Sequence, residues 1–134
     1  MKLLITTFVF VFLALICGCG KKGQPVSTKD GNNAATRTYF LYIKIPEQIM
    51  PEQREKKYES PINELLSRHQ LGEVSGGGTM LTKDKQIEYI GVDVDVTDPQ
   101  TAIPLLIAKL KEIGAPKGTV IEQHEPEQKT IAIE

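Results

Sequence analysis

The sequence predicts an α+β domain: an antiparallel sheet with two helices packed on one face. Three observations carry this expectation. Two segments, 38–45 and 86–97, alternate apolar and polar residues with the period of two that a half-buried strand requires. Two others, 60–71 and 98–113, repeat apolar residues at helical spacing behind a capping residue and a proline. Glycine, proline and charged clusters separate all four, and short apolar stretches at 71–81, 119–122 and 129–133 supply further strands.

Taken in order, Thr38 to Ile45 places Tyr39, Leu41, Ile43 and Ile45 on one face and Phe40, Tyr42 and Lys44 on the other. Pro46 and Pro51 bracket an irregular stretch. Ser60 is read as a helix N-cap with Pro61 in the first helical position. Ile62, Leu65, Leu66 and His69 form the stripe of that helix, His69 as a half-buried packing residue, and Gly72 is placed to stop it in a left-handed conformation. Residues 52–59 extend this helix N-terminally as a separate polar turn. From Leu71 to Leu81 two short strands flank or run through Gly76-Gly77-Gly78, and Lys83-Asp84-Lys85 is a polar turn.

Gln86 to Thr97 is the clearest strand, with Ile90, Val92, Val94 and Val96 on one side and Gly91, Asp93 and Asp95 on the other. Asp98-Pro99 opens the second helix, with Thr101 as an alternative cap. Pro104 is tolerable only near that start, where its missing N–H costs little. Ile103, Leu106, Ile107, Leu110 and Ile113 make the buried stripe, and Gly114 and Pro116 end the helix. The order β-α-β-β-α-β is that of the ferredoxin-like sandwich, with a different sheet order as the competing arrangement.

Ahead of this domain, Lys2 precedes an uncharged run from Leu3 to Ile16, and Ile16-Cys17-Gly18-Cys19 follows. Charge, apolar core and small-residue cleavage site together read as a secretory signal. The run falls short of the ~20 apolar residues a spanning helix needs. The tetrapeptide resembles the lipobox of bacterial lipoproteins. The resemblance implies cleavage after residue 18, lipidation of Cys19 with diacylglyceryl and palmitate-type acyl chains, and attachment to the cell membrane. With Gly20 and not Asp after the cysteine, it implies the outer membrane where the source has two. Cys17 is the alternative acceptor, but it puts bulky Ile16 at the cut. The division is therefore 1–18 signal peptide, 19–36 lipidated cysteine and tether, and 37–134 a single domain. Residues 20–36 have almost nothing apolar to bury and read as a flexible tether spanning about 20–25 Å. Lys21 and Lys22 either meet anionic head groups or simply solvate it.

The only cysteines are residues 17 and 19, so the domain has no disulfide and no Cys-x-x-Cys metal or redox pattern. Sixteen basic against seventeen acidic residues give a net charge of −1, and loss of Lys2 makes it one unit more negative. A nucleic-acid partner would call for a basic excess, so none is expected. Gly76-Gly77-Gly78-Thr79 lacks the Gly-Lys-Ser or Gly-Lys-Thr ending of a phosphate loop. His69 and His124 lack ligand spacing, and no nucleophile-elbow signature is present. Neither a cofactor nor a catalytic centre is expected.

The sheet face without helices is the expected binding surface. Strand parity gathers Phe40, Tyr42, Tyr89, Asp93 and Asp95 there, with Lys44 and Gly91 on the same rows and Glu73 joining them if its strand pairs. Carboxylates at i and i+2 lie roughly 7 Å apart. They could meet a basic protein partner, hold a hard cation, or keep an exposed strand soluble. LGEVSGGGTML, YIGVDVDVTD and IAKLKEIGAPKGTVIE, covering Leu71 to Glu122, resemble small bacterial ferredoxin-like domains, some of them immunity proteins that neutralise a toxin. The expectation is a membrane-anchored lipoprotein with a small non-catalytic binding domain and a protein partner; the alternative is a small-ligand or cation binder of the envelope.

Overall fold

The computed structural model describes residues 37–134. The signal, Cys19 and the tether lie outside the described residues. Five strands form one antiparallel sheet: β1 (Tyr39–Ile45), β2 (Gly72–Leu81), β3 (Ile87–Val96), β4 (Val120–Gln123) and β5 (Lys129–Ala132), in the order β2-β3-β1-β4-β5. Helical segments α1 (Pro51–Arg54), a π-helical turn (Glu55–Glu59) and α2 (Ser60–His69) follow one another without a break, and α3 (Pro99–Glu112) links β3 to β4. The β1–β2 and β3–β4 connections each carry a helix over the sheet. The fifth strand adds a hairpin on the β4 edge, so both of the short C-terminal segments become strands.

The period of two in β1 and β3 builds the core. Leu41, Ile43 and Ile45 on β1 and Ile90, Val92, Val94 and Val96 on β3 are fully buried, beside Ile121 of β4. Against them pack Ile62 and Leu66 of α2 and Ala102, Leu106 and Leu110 of α3. In α3, Ile103 and Ile107 are half-buried at the edge of that stripe. Among the described residues the core runs from Leu41 of β1 to Ile133.

The first helical arm has the N-terminal extension expected over 52–59 but departs from expectation at its cap. Ser60 is not a cap: its backbone is fully helical, and the helix starts nine residues earlier, at Pro51. Gln53 reaches back to accept from the Met50 N–H at 3.0 Å. The cause lies in the proline that suggested a start. Pro61 has no N–H, and inside an α-helix its ring would press on the carbonyl of Lys57. The preceding residues widen into a π-turn in which the Ser60 N–H reaches the Glu55 carbonyl five residues back. Widening also brings residues five apart together, and Arg54 Nε donates to Glu59 Oε1 at 2.5 Å with both side chains largely shielded.

The same turn delivers Tyr58, fully buried, into the core. Its hydroxyl donates to Glu47, which also accepts from Lys57 Nζ at 2.7 Å. Burial, then the bond to Glu47, pushes the Tyr58 phenol up to about 12. Burial alone would raise the Glu47 carboxyl, but the Lys57 and Tyr58 bonds outweigh it and hold it low.

At the other end of α2 the left-handed residue is Gln70 (φ 55°), while Gly72 already belongs to β2 with φ 144°, where a Cβ would drive into the Asp95 carbonyl. His69 is exposed, not a packing residue. The glycine triplet does not separate two strands; a single ten-residue β2 runs through it, with a register shift between Val74 and Gly76. Asp98 caps α3 as expected, accepting from the Gln100 N–H at 3.0 Å and from the Thr101 hydroxyl, which together with the Thr101 N–H hold its carboxyl low. Pro104 sits in the second turn of α3.

Candidate functional site

Among the described residues, the helices occupy one face of the sheet and nothing covers the other. Register assigns its side chains row by row. One row runs Glu73, Asp95, Phe40; the next Gly76, Asp93, Tyr42, Glu122, Thr130; the third Gly78, Gly91, Lys44, Val120, Ala132; and Met80 lies opposite Tyr89. Phe40, Tyr42, Tyr89, Asp93 and Asp95 therefore share one face, as strand parity requires.

Two clusters organise the surface. The Tyr42 ring lies across Gly91, so closely that a Cβ on Gly91 would collide with its hydroxyl and two ring carbons. Gly91 is thereby buried, and Tyr42 is held between Asp93 and Glu122. Burial, followed by the neighbouring Tyr89, Asp93 and Glu122, raises the Tyr42 phenol above its ordinary range. Lys44 Nζ sits 4.1 Å from the centre of the Tyr89 ring, a cation–π contact. At the other end Phe40, 40 % exposed, stacks on His124 with centroids 6.0 Å apart and planes inclined by 25°.

The charges are unbalanced. Glu73 stands directly opposite Asp95, and Asp93 and Glu122 flank Tyr42 from either side. Against these four carboxylates the rows offer one ammonium, Lys44, already over an aromatic ring. Like charges directly opposite on neighbouring strands are destabilising. Such a face attracts cationic groups and repels phosphate.

Glu122 and His124 are members of this face that sequence reasoning missed. The signal for Glu122 was present: Ile121 is apolar and buried, so its neighbour on a strand points the other way. His124 follows the end of β4, and no local pattern ties it to Phe40. Among the described residues, no group of three or more His, Cys, Asp or Glu side chains is arranged to hold a metal ion.

A separate groove of about 720 Å³ opens on the helix face, beside the start of α3. Tyr39, Ile103 and Ile131 form its apolar wall, and Asp98, Gln123 and Lys129 are among its polar residues. Gln123 is nearly buried and donates through Nε2 to the Glu125 carbonyl at 2.7 Å.

No protein family, no characterised protein and no solved structure matches the chain. Among the described residues, no helix is long and apolar enough to cross a membrane.

Proposed function

We propose that the chain is a lipid-anchored protein of the bacterial cell envelope whose domain captures a basic protein partner on the open sheet face. In this proposal residues 1–18 are removed as a signal, Cys19 is acylated, and residues 19–36 hold the domain at the membrane, the outer one where there are two. The domain is ferredoxin-like: β2-β3-β1-β4 with two helix-bearing crossovers is the pattern, and β5 is an addition at the β4 edge. Its role is binding and not catalysis, of the kind an immunity protein performs.

The observation that carries the partner's chemistry is the open face itself. It sets Glu73 directly against Asp95 and keeps Asp93 and Glu122 on either side of Tyr42, with Lys44 as the one ammonium on the described rows. Phe40, Tyr42 and Tyr89 add the aromatic area that interface centres favour. A partner bearing Lys or Arg would relieve the repulsion on docking, whereas nucleic acid would increase it.

Capture from native envelope, with the domain as bait, tests the role. Wild type should retain one stoichiometric basic protein, and Asp93→Asn with Asp95→Asn should lose it while the domain stays folded by circular dichroism. Capture that survives both substitutions removes this face from the role. For the anchor, Cys19→Ser should abolish incorporation of labelled palmitate and release the protein from the membrane fraction; incorporation that persists and is lost only with Cys17→Ser would reassign the acceptor.

The groove beside α3 favours a second role, small-ligand binding, because its volume lies within the range of about 300–1,000 Å³ typical of ligand sites. A ligand seated there would raise the melting temperature of wild type but not of Ile103→Trp, and would leave partner capture on the opposite face untouched.

A further inference from the structure

The two edges of the sheet are built differently. The β5 edge is four residues long and carries Lys129, whose ammonium is paired with Glu127 at 2.9 Å. Short length and a charged residue are the usual guards of a sheet edge. The β2 edge has ten residues and, among the described residues, pairs only with β3. Its first half is guarded: the Val74 N–H donates to Asn63 Oδ1 of α2 at 3.0 Å, and the chain shifts register just beyond it. From Gly76 to Leu81 the strand brings no guard of its own, although the register shifts again between Met80 and Leu81 and the Arg54–Glu59 pair packs against Gly77 on the helix side. GGGTML contains neither charge nor proline, and Met80 and Leu81 are 46 % and 51 % exposed.

The glycines in this stretch are not all demanded by the fold. Gly76 lies close to Asp93, and a Cβ on Gly77 would collide with Glu59 and the Gly91 carbonyl. Gly78 is different. No atom of the described residues lies within 4 Å of where its Cβ would be, and its φ is not in the left-handed region. A glycine there weakens a strand and gives the single molecule nothing in return.

We propose that the open half of β2 pairs antiparallel with β2 of a second copy of this chain, forming a continuous ten-stranded sheet about a two-fold axis. An isologous contact requires a self-complementary strand. A register centred on Thr79 provides one. It sets Thr79 against Thr79 of the second copy, Met80 beside Gly78, and Leu81 beside Gly77, so each exposed apolar side chain meets a residue that has none. The outward-facing N–H and C=O groups of both strands gain partners. Cross-strand neighbours share a face, so Met80, opposite Tyr89, and Gly78, opposite Gly91, meet on the uncovered side. With the axis normal to the sheet, both open faces look the same way.

The test is sedimentation velocity on residues 37–134 over a concentration series from micromolar to millimolar. Wild type should double in mass as concentration rises. Gly78→Lys adds a side chain where the single molecule has room and the second copy does not. It should stay at monomer mass throughout, with a melting temperature no lower than that of wild-type monomer. Thr79→Cys fixes the register: residues 37–134 contain no other cysteine, so mild oxidation should yield a covalent dimer. Wild type that remains monomeric at every concentration overturns the proposal, as does Gly78→Lys dimerising like wild type. A dimer that Thr79→Cys fails to cross-link overturns the register.

Discussion

Tyr42 on β1 packs its ring over Gly91 on β3, one row away from its own partner Asp93. The contact explains a glycine in the middle of the most regular strand of the molecule. It also fixes the aromatic side chain at the centre of the open face, because a ring packed on bare backbone has few other places to go. Gly91→Ala should destabilise the domain by about 1–3 kcal/mol, the usual cost of forcing extra carbon into a packed site. In a Tyr42→Ala background the same change should be neutral or stabilising by about 0.5–1 kcal/mol, since alanine suits a strand better than glycine. Urea midpoints of the four proteins give the coupling directly. Equal costs in both backgrounds would mean that the ring is not what excludes a side chain at Gly91.

The direct opposition of Glu73 and Asp95 yields a prediction of opposite sign. Glu73→Gln or Asp95→Asn should stabilise the domain by a few tenths of a kcal/mol to ~1 kcal/mol, because each removes a like-charge cross-strand pair. Raising salt should shrink the gain, as both groups are solvent-accessible. The same variants should weaken partner capture. Stability gained together with binding lost is the signature of a charge kept for a partner; a loss of stability would instead reveal a supporting interaction for that carboxylate.

The shielded pair Arg54–Glu59, packed over Gly77 with Arg54 Nη1 3.3 Å from the Thr79 hydroxyl, gives a third. Removing one partner strands the other in a place water reaches poorly. Arg54→Met or Glu59→Met alone should cost about 1–3 kcal/mol, and the double change less than either. A double variant whose loss equals the sum of the two would show that each residue acts through packing alone.

The open face was legible in the sequence because it depends on one rule. Alternation in β1 and β3 assigns each side chain a face whatever the rest of the chain does, so Phe40, Tyr42, Tyr89, Asp93 and Asp95 follow once the strands are neighbours. Glu73 needed the β2 register, which a bulge shifts. His124 needed a tertiary contact with Phe40 that has no local trace. The cap was misread for a physical reason: Ser60-Pro61 is a sound capping signal, but a π-turn ahead of Pro61 lets the helix run on through it. Between Glu55, Lys56, Lys57 and Glu59, a lone tyrosine gives no apolar period to see. A π-turn moves it off the α-helical phase as well.

Tyr58 also sets an alkaline limit on stability. Its phenol is raised from 10.0 to about 12 in the folded protein. Below about pH 10 the phenol is protonated in both states and its contribution is complete. Between about 10 and 12 the unfolded chain releases this proton while the folded protein keeps it, so the unfolded state binds fewer protons and stability falls as pH rises. Lys57, raised chiefly by its bond to Glu47, titrates above its unfolded value and adds a loss of the same sign in the alkaline range. Tyr58→Phe should therefore flatten, without abolishing, the decline seen when urea unfolding is measured at pH values from about 9 to about 12. At neutral pH the variant should be less stable by ~1 kcal/mol, the typical worth of one hydrogen bond, here the hydroxyl's bond to Glu47. An unchanged alkaline slope in Tyr58→Phe would place the proton release on other groups and separate the burial of this ring from the pH dependence of the fold.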